Sequence, residues 1–318
     1  MMRRLRPSRM TWNYAHDTLT LSYEDMPGIY RASDRASETG QRSYMRWSLM
    51  RLASIVVAAI TGTVSASSKD NRNAFLLFGI LAVIAFISAL VVEILLLTFR
   101  PEEAWYHGRA VAESVKTLTW SYVMQADPFG PNQSNLDADR LFLQRIREVL
   151  GGIPAGTRVE ASAGAEITSK MRALRRYSFD RRKQLYLAER VTGQLEWYAR
   201  RAAWNEKRAK VWRAVLLALE ASGGALAVCQ VAQLLDLNAE ALIASIVAAI
   251  GAWFGIKQFD NLSNAYALTA TELSLVKADG LSVANSESWS EYVRRAEQAI
   301  SREHTMWLAR RVQPRLAE

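Results

Sequence analysis

Residues Ala74–Phe99 read AFLLFGILAVIAFISALVVEILLLTF, and this stretch decides the fold. It holds 26 residues, with Glu93 its single charge. At ~1.5 Å per residue a helix of that length measures roughly 39 Å, enough to cross a hydrocarbon core of ~30 Å with some tilt. It contains no proline and one glycine, so nothing breaks it. A core helix of a soluble protein seldom runs this long without a polar face, so the stretch reads as a membrane span.

Immediately before it stands the polar turn Lys69-Asp70-Asn71-Arg72-Asn73, and before that a shorter apolar run, Leu52–Ser68, rich in Ala, Ser and Thr. Alone this run is ambiguous. Joined to 74–99 by so short a turn, it makes a transmembrane hairpin. Tyr30–Arg51, charged and periodic, is expected to feed it as a helix. On the other side Arg100-Pro101 ends the span. Pro101 suits the first turn of a new helix to about Gln125, with Glu102 and Glu103 at its N-terminal dipole and Trp105, Ala112, Val115 and Tyr122 at helical spacing. Ala126–Asp139 reads as a loop, Leu141–Leu150 as a short amphipathic helix, and Gly151–Gly156 as the domain boundary, giving modules 1–155 and 156–318.

The second module repeats the plan. A long basic helix is expected over Ser169–Arg213, with Leu187, Val191, Leu195, Tyr198 and Ala202 on one face. Its many arginines and lysines, Arg181, Arg182, Lys183 and Arg190 among them, read as a solvated face. Ala214–Leu235 and Ala241–Ile256 are apolar runs around the turn Asp236–Glu240. Leu262, Tyr266, Thr269, Leu273 and Val276 form a coiled-coil-like seam, broken at Asp279-Gly280. Ser286–Arg311 is the last helix, with Trp289, Val293, Ala296, Ile300 and Trp307 on its stripe. Nothing alternates with period two for long, so the predicted fold is an all-α membrane protein: two tandem two-helix transmembrane hairpins, spanning about 52–68 with 74–99 and 214–235 with 241–256, with long cytoplasmic amphipathic helices.

The chain of 318 residues is half apolar yet carries a net charge of +9, which suits either nucleic acid or an anionic membrane. Topology accounts for the charge. Lys69 and Arg72 sit at the first hairpin's tip, and the other basic residues flank the hairpins on the opposite side. The positive-inside rule then places both termini in the cytoplasm, and nucleic acid is not expected as a partner. Cys229, the lone cysteine, excludes an internal disulfide and a cysteine metal cluster. The basic N-terminus has no apolar stretch behind it and is no signal peptide.

A search for chemistry finds none. His16, His107 and His304 are scattered, Gly151-Gly152 and Gly223-Gly224 lack a following Lys-Ser/Thr, and there is no GxSxG elbow. No enzyme, cofactor or metal is expected. The polar groups within the spans say more. Glu93 lies seven residues before Arg100 and Glu220 seven after Arg213, each roughly 10 Å inside the cytoplasmic boundary. Charged groups at that depth face a bundle interior or a wet cavity. Both are candidate pore or bundle-interior residues, the alternative being a protonated or hydrogen-bonded structural carboxyl. Ala58 with Gly62, and Gly251 with Gly255, have the small-xxx-small spacing that lets helices approach closely in lipid, within one chain or between chains of a homo-oligomer. The seam at Leu262–Val276 is a second candidate contact between chains.

The second half also resembles a SLATT module, the two-transmembrane effector domain associated with SMODS nucleotidyltransferases and SLOG proteins. The resemblance rests on Gln194-Leu195-Glu196-Trp197-Tyr198 with Asn205 before the hairpin, and on Tyr266–Leu273 and Glu303–Arg311 after it. The first half resembles a more divergent SLATT module through Tyr44-Met45-Arg46-Trp47, and through Trp105–Ala110 to Trp120-Ser121-Tyr122. The resemblance implies a bacterial inner-membrane effector, pore-forming or membrane-disrupting, in a nucleotide-signalled anti-phage system acting by abortive infection. It leaves room for a nucleotide-sensing or nucleotide-synthesising partner protein besides the lipid bilayer. The residues themselves leave open a constitutive channel, a small-solute transporter or a structural membrane scaffold.

Overall fold

The structure, a computed structural model, describes residues 20–153, 164–234 and 240–312. The sequence readings at His16 and the basic N-terminus, at 154–156 and at 236–239 lie outside the described residues, as do the side chains of His304 and Trp307. The described residues are helical almost throughout and contain no strand. In order they form α1 (Gly28–Ser67), α2 (Arg72–Phe99), α3 (Pro101–Met124), α4 (Asn135–Gly151), α5 (Ser169–Arg175), α6 (Phe179–Leu185), a π-helical turn Tyr186–Thr192, α7 (Gly193–Val231), α8 (Glu240–Lys257), α9 (Phe259–Ser282) and α10 (Ser286–Val312).

Three expectations change in detail. The basic helix expected over 169–213 is broken: Arg176 closes α5, and Ser178, with extended backbone, opens α6. Helix α4 begins at Asn135, inside the expected loop. Ser134 caps it, accepting from the Asp137 N–H at 3.1 Å and donating to that carboxylate at 2.7 Å, so turn-forming residues make a first helical turn. Helix α9 runs straight through Asp279-Gly280. A Cβ on Gly280 would lie 2.5 Å from the Tyr292 hydroxyl and 2.6 Å from Leu187 Cδ2, so the glycine serves a close approach rather than a break.

The chain divides into two compact units. The first, the helical unit, takes the described residues up to Glu38, Ala104–Ala203 and those from Ser263 onward. Its core draws on α3 (Val115, Trp120, Val123), α4 (Phe142, Ile146), α5 (Met171, Leu174), the π turn (Tyr186, Val191) and α10 (Trp289, Val293, Ala296). Trp289 is its hub, stacked on Tyr292 at 5.2 Å between ring centres and edge-on to Tyr186 at 5.6 Å and Phe179 at 5.7 Å. Most of the expected faces are buried: Trp105, Ala112, Val115 and Tyr122 on α3; Val191 in the π turn with Tyr198 and Ala202 on α7; Trp289, Val293, Ala296 and Ile300 on α10; Leu187 and Leu195 are half-buried. The seam of α9 is filled inside the chain. Tyr266 meets Trp197 and Tyr198, each at 5.5 Å, and Ser263 donates to the Ala202 carbonyl at 3.0 Å. It is therefore no free contact for a second copy, which corrects the reading from sequence.

The second, the span unit, holds Thr39–Glu103 and Trp204–Leu262. In its first hairpin α1 and α2 run antiparallel, with Trp47 against Phe99, Arg51 against Glu93, Ser54 hydrogen-bonded to Ser88 at 3.2 Å, and Ser65 donating to the Phe75 carbonyl at 2.8 Å. The face α2 buries is Ala82, Ala85, Ala89, Val92 and Leu96, alternating steps of three and four as in a coiled-coil seam. Asn71 caps α2 by accepting from the Ala74 N–H. Both second spans end alike, on one left-handed residue followed at once by the next helix. Arg100 (φ 41°) joins α2 to α3 and Gln258 (φ 51°) joins α8 to α9, each N–H bonded four residues back, to Leu96 and Phe254. A left-handed residue stops a helix, and Pro101 then starts the next.

Candidate functional site

Among the described residues, four helices are long and apolar enough to cross a membrane. In the most apolar windows on α7 and on α8–α9 the buried share is 0% and 6%, so their apolar side chains point away from the protein and need an apolar solvent. The chain is a multi-pass membrane protein.

The two membrane carboxylates are placed differently. Glu93 is half-buried and ion-paired with Arg51, the last residue before the first apolar run. Glu220 is exposed on α7 and has no hydrogen bond or ion pair among the described residues. Arg213 stands before its own apolar run as Arg51 does, but it pairs with Asp260, just beyond α8. Nothing among the described residues joins Glu93 to Glu220. Sequence reading measured Glu93 against Arg100 and missed Arg51; a cation one helical face away across so short a hairpin was the available signal.

The small residues also differ. Ala58 is buried at 1% exposure, whereas a Cβ on Gly62, Gly251 or Gly255 would meet nothing within 4 Å. With exposed Ala244, Ala248 and Ala252, the two α8 glycines form an open stripe in the single chain. The tight approach in the second hairpin is at Gly223, where a Cβ would stand 3.1 Å from Ile243 Cγ2.

The helical unit contains a buried ionic cluster that the charge run concealed. Arg190 and Glu297, both almost fully buried, are joined by hydrogen bonds of 2.9 and 2.6 Å. The same carboxylate accepts from the Tyr186 hydroxyl and from Thr117 Oγ1, each at 2.9 Å. Burial works against the Arg190 charge, but attraction to Glu297 and its hydrogen bonds outweigh this and hold the pKa above the ordinary arginine value. Burial, with Glu297 alongside, pushes the Tyr186 phenol well up. Nearby, burial lowers the Lys116 pKa, with Glu113 pulling the other way.

Two further arginines close the end of α3. Arg175 donates to the Tyr122 and Phe129 carbonyls at 2.7 and 3.0 Å, and Arg182 to the Met124 carbonyl at 2.7 Å. Cations at a helix C-terminus satisfy its last carbonyls and complement its dipole. Burial first, then repulsion from Arg175, brings the Arg182 pKa down to about 10. The solvated face read from the sequence is thus corrected for Arg182 and Arg190. With Tyr186 they recur at steps of four, which puts them on one stripe turned inward.

A family model described as SMODS and SLOG-associating 2TM effector domain 3 matches residues 27–183, and one described as SMODS and SLOG-associating 2TM effector domain 1 matches residues 186–307. Comparisons with curated proteins and with solved structures gave no match. Each matched region holds one apolar hairpin, and the aromatic-charged motifs flanking the hairpins fall within the two regions, except that Glu303–Arg311 runs past the end of the second at residue 307. The chain belongs to the SLATT family and carries two of its two-transmembrane effector domains in tandem.

Proposed function

We propose that this protein is a pore-forming effector of the bacterial inner membrane, with both termini cytoplasmic, that assembles as a homo-oligomer and acts in a nucleotide-signalled anti-phage system by abortive infection. The observation that carries this reading is Glu220. A carboxylate exposed on a spanning helix, with no partner among the described residues, is costly against lipid and is accommodated by water or a neighbouring subunit. Four spans per chain enclose little water, so a conducting path calls for several copies, and the open stripe Gly251–Gly255 on α8 suits close contact between them. A ring of Glu220 carboxylates would favour cations. The reading assigns no catalysis to the chain and takes any nucleotide signal to arrive through a partner protein.

Induced expression tests it. Growth arrest with membrane depolarisation and entry of an impermeant dye is expected, and Glu220→Gln should alter killing or cation selectivity while the protein still inserts. Steady solute flux without arrest would favour a constitutive channel or transporter. Neither flux nor arrest would leave a membrane scaffold.

A further inference from the structure

Where the second hairpin meets the cytoplasmic boundary, cations and aromatic rings interleave on α7, α8 and the start of α9. Arg208 lies over Trp204 with its guanidinium carbon 5.1 Å from the ring centre, and the Lys257 ammonium lies 4.7 Å from the centre of Trp253. Trp204 packs edge-on to Phe259 at 6.0 Å, and Phe259 touches Phe254 at 6.0 Å, so one aromatic band ties the two arms together. Not all basic residues here are available. Lys210 is taken by Glu206 and Arg213 by Asp260. Lys207, Arg208 and Lys257 pair with no carboxylate among the described residues.

Their height identifies what they meet. Arg208 stands six residues before Ala214, where the apolar run begins, and Lys257 directly follows Ile256, where the returning run ends. Six helical residues rise ~9 Å, so the three cations stand at or just beyond the ~5–7 Å headgroup layer on one side of a bilayer. Rings at that level are amphipathic anchors, and a cation held over a ring face keeps its charge while its stem is covered. Three uncompensated positive charges at the edge of the headgroup layer, on side chains long enough to reach into it, are complementary to anionic lipid.

We propose that Lys207, Arg208 and Lys257, the last two held over Trp204 and Trp253, form a binding site for the headgroup of an anionic phospholipid of the cytoplasmic leaflet. The site rests on the membrane topology and holds whether or not the spans conduct. It selects phosphatidylglycerol over phosphatidylcholine, because the two share a phosphate and only the second carries a compensating ammonium.

The test uses the full chain in mild detergent, delipidated and then titrated with phosphatidylglycerol or phosphatidylcholine, with retained lipid read by native mass spectrometry and thermal midpoint read in parallel. The wild type should retain phosphatidylglycerol preferentially and be stabilised by it, and inorganic phosphate should not displace it. Lys207→Gln/Arg208→Gln/Lys257→Gln should lose this preference by about tenfold or more. Arg208→Lys and the already paired Lys210→Gln should stay close to wild type, guarding against a loss caused by misfolding. Equal retention of the two lipids by the wild type, undiminished phosphatidylglycerol binding by the triple variant, or displacement by inorganic phosphate would each overturn the site.

Discussion

Arg190 grips Glu297 with two parallel hydrogen bonds, and Tyr186 and Thr117 complete the carboxylate's shell. Removing either charge strands the other in the core, at a cost of ~3–5 kcal/mol. Arg190→Met and Glu297→Leu should therefore each lower the thermal midpoint sharply, and the double variant should recover most of the loss. Unfolding in detergent, followed by the near-ultraviolet dichroism of the tryptophans around Trp289, measures this. Additive losses in the double variant would show that the pair is uncoupled.

A similar argument applies within the membrane. Arg51→Gln leaves Glu93 as an unpaired carboxylate in the span, so less protein should insert, and adding Glu93→Gln should restore the amount. Immunoblots of the membrane fraction decide it. Equal insertion of the wild type and both variants would mean the pair contributes nothing.

Lys116 gives a pH dependence. Its pKa in the fold is lowered from 10.5, chiefly by burial. Between that lowered value and 10.5 the unfolded chain therefore holds more protons than the fold. This group's contribution thus increases with pH across that interval and is lost below it. Lys116→Met should raise the midpoint at neutral pH and flatten its alkaline rise, as a midpoint series from neutral to alkaline pH would show.

The proposed orientation, with basic residues on the inner side, is open to labelling. In a Cys229→Ser background, Asn71→Cys and Asn238→Cys should react with an impermeant maleimide from outside, and Ser286→Cys only after permeabilisation. Labelling of Ser286→Cys in intact cells would invert the topology.

The proposed assembly predicts a contact on α8. Gly251→Leu with Gly255→Leu should shift any oligomer seen in mild detergent toward monomer, read by size exclusion with light scattering. An unchanged oligomer would place the contact elsewhere.

The spans and both hairpins were legible in the sequence because an apolar run of this length in lipid must satisfy every backbone group internally, as a helix does. The faces of α3, α7 and α10 were legible from their spacing alone. Partnership was not. Glu297 lies 107 positions from Arg190, and a charge run carries no mark of so distant an acceptor. Gly280 misled for the same reason: a glycine for close packing and a glycine for a break look alike until Tyr292 and Leu187 are in place. Ser134, three residues before Asp137, was a readable helix start hidden among turn-forming neighbours.

The core of the helical unit is built from both family domains: Thr117 belongs to the first, and Arg190, Glu297 and Trp289 to the second. Because one chain carries both, their association is first order, and dilution cannot separate them. Severing the chain between residues 183 and 186 would make the same contact bimolecular. Each half would then expose part of an unfinished core, and co-expressed halves would complement one another only above a threshold abundance.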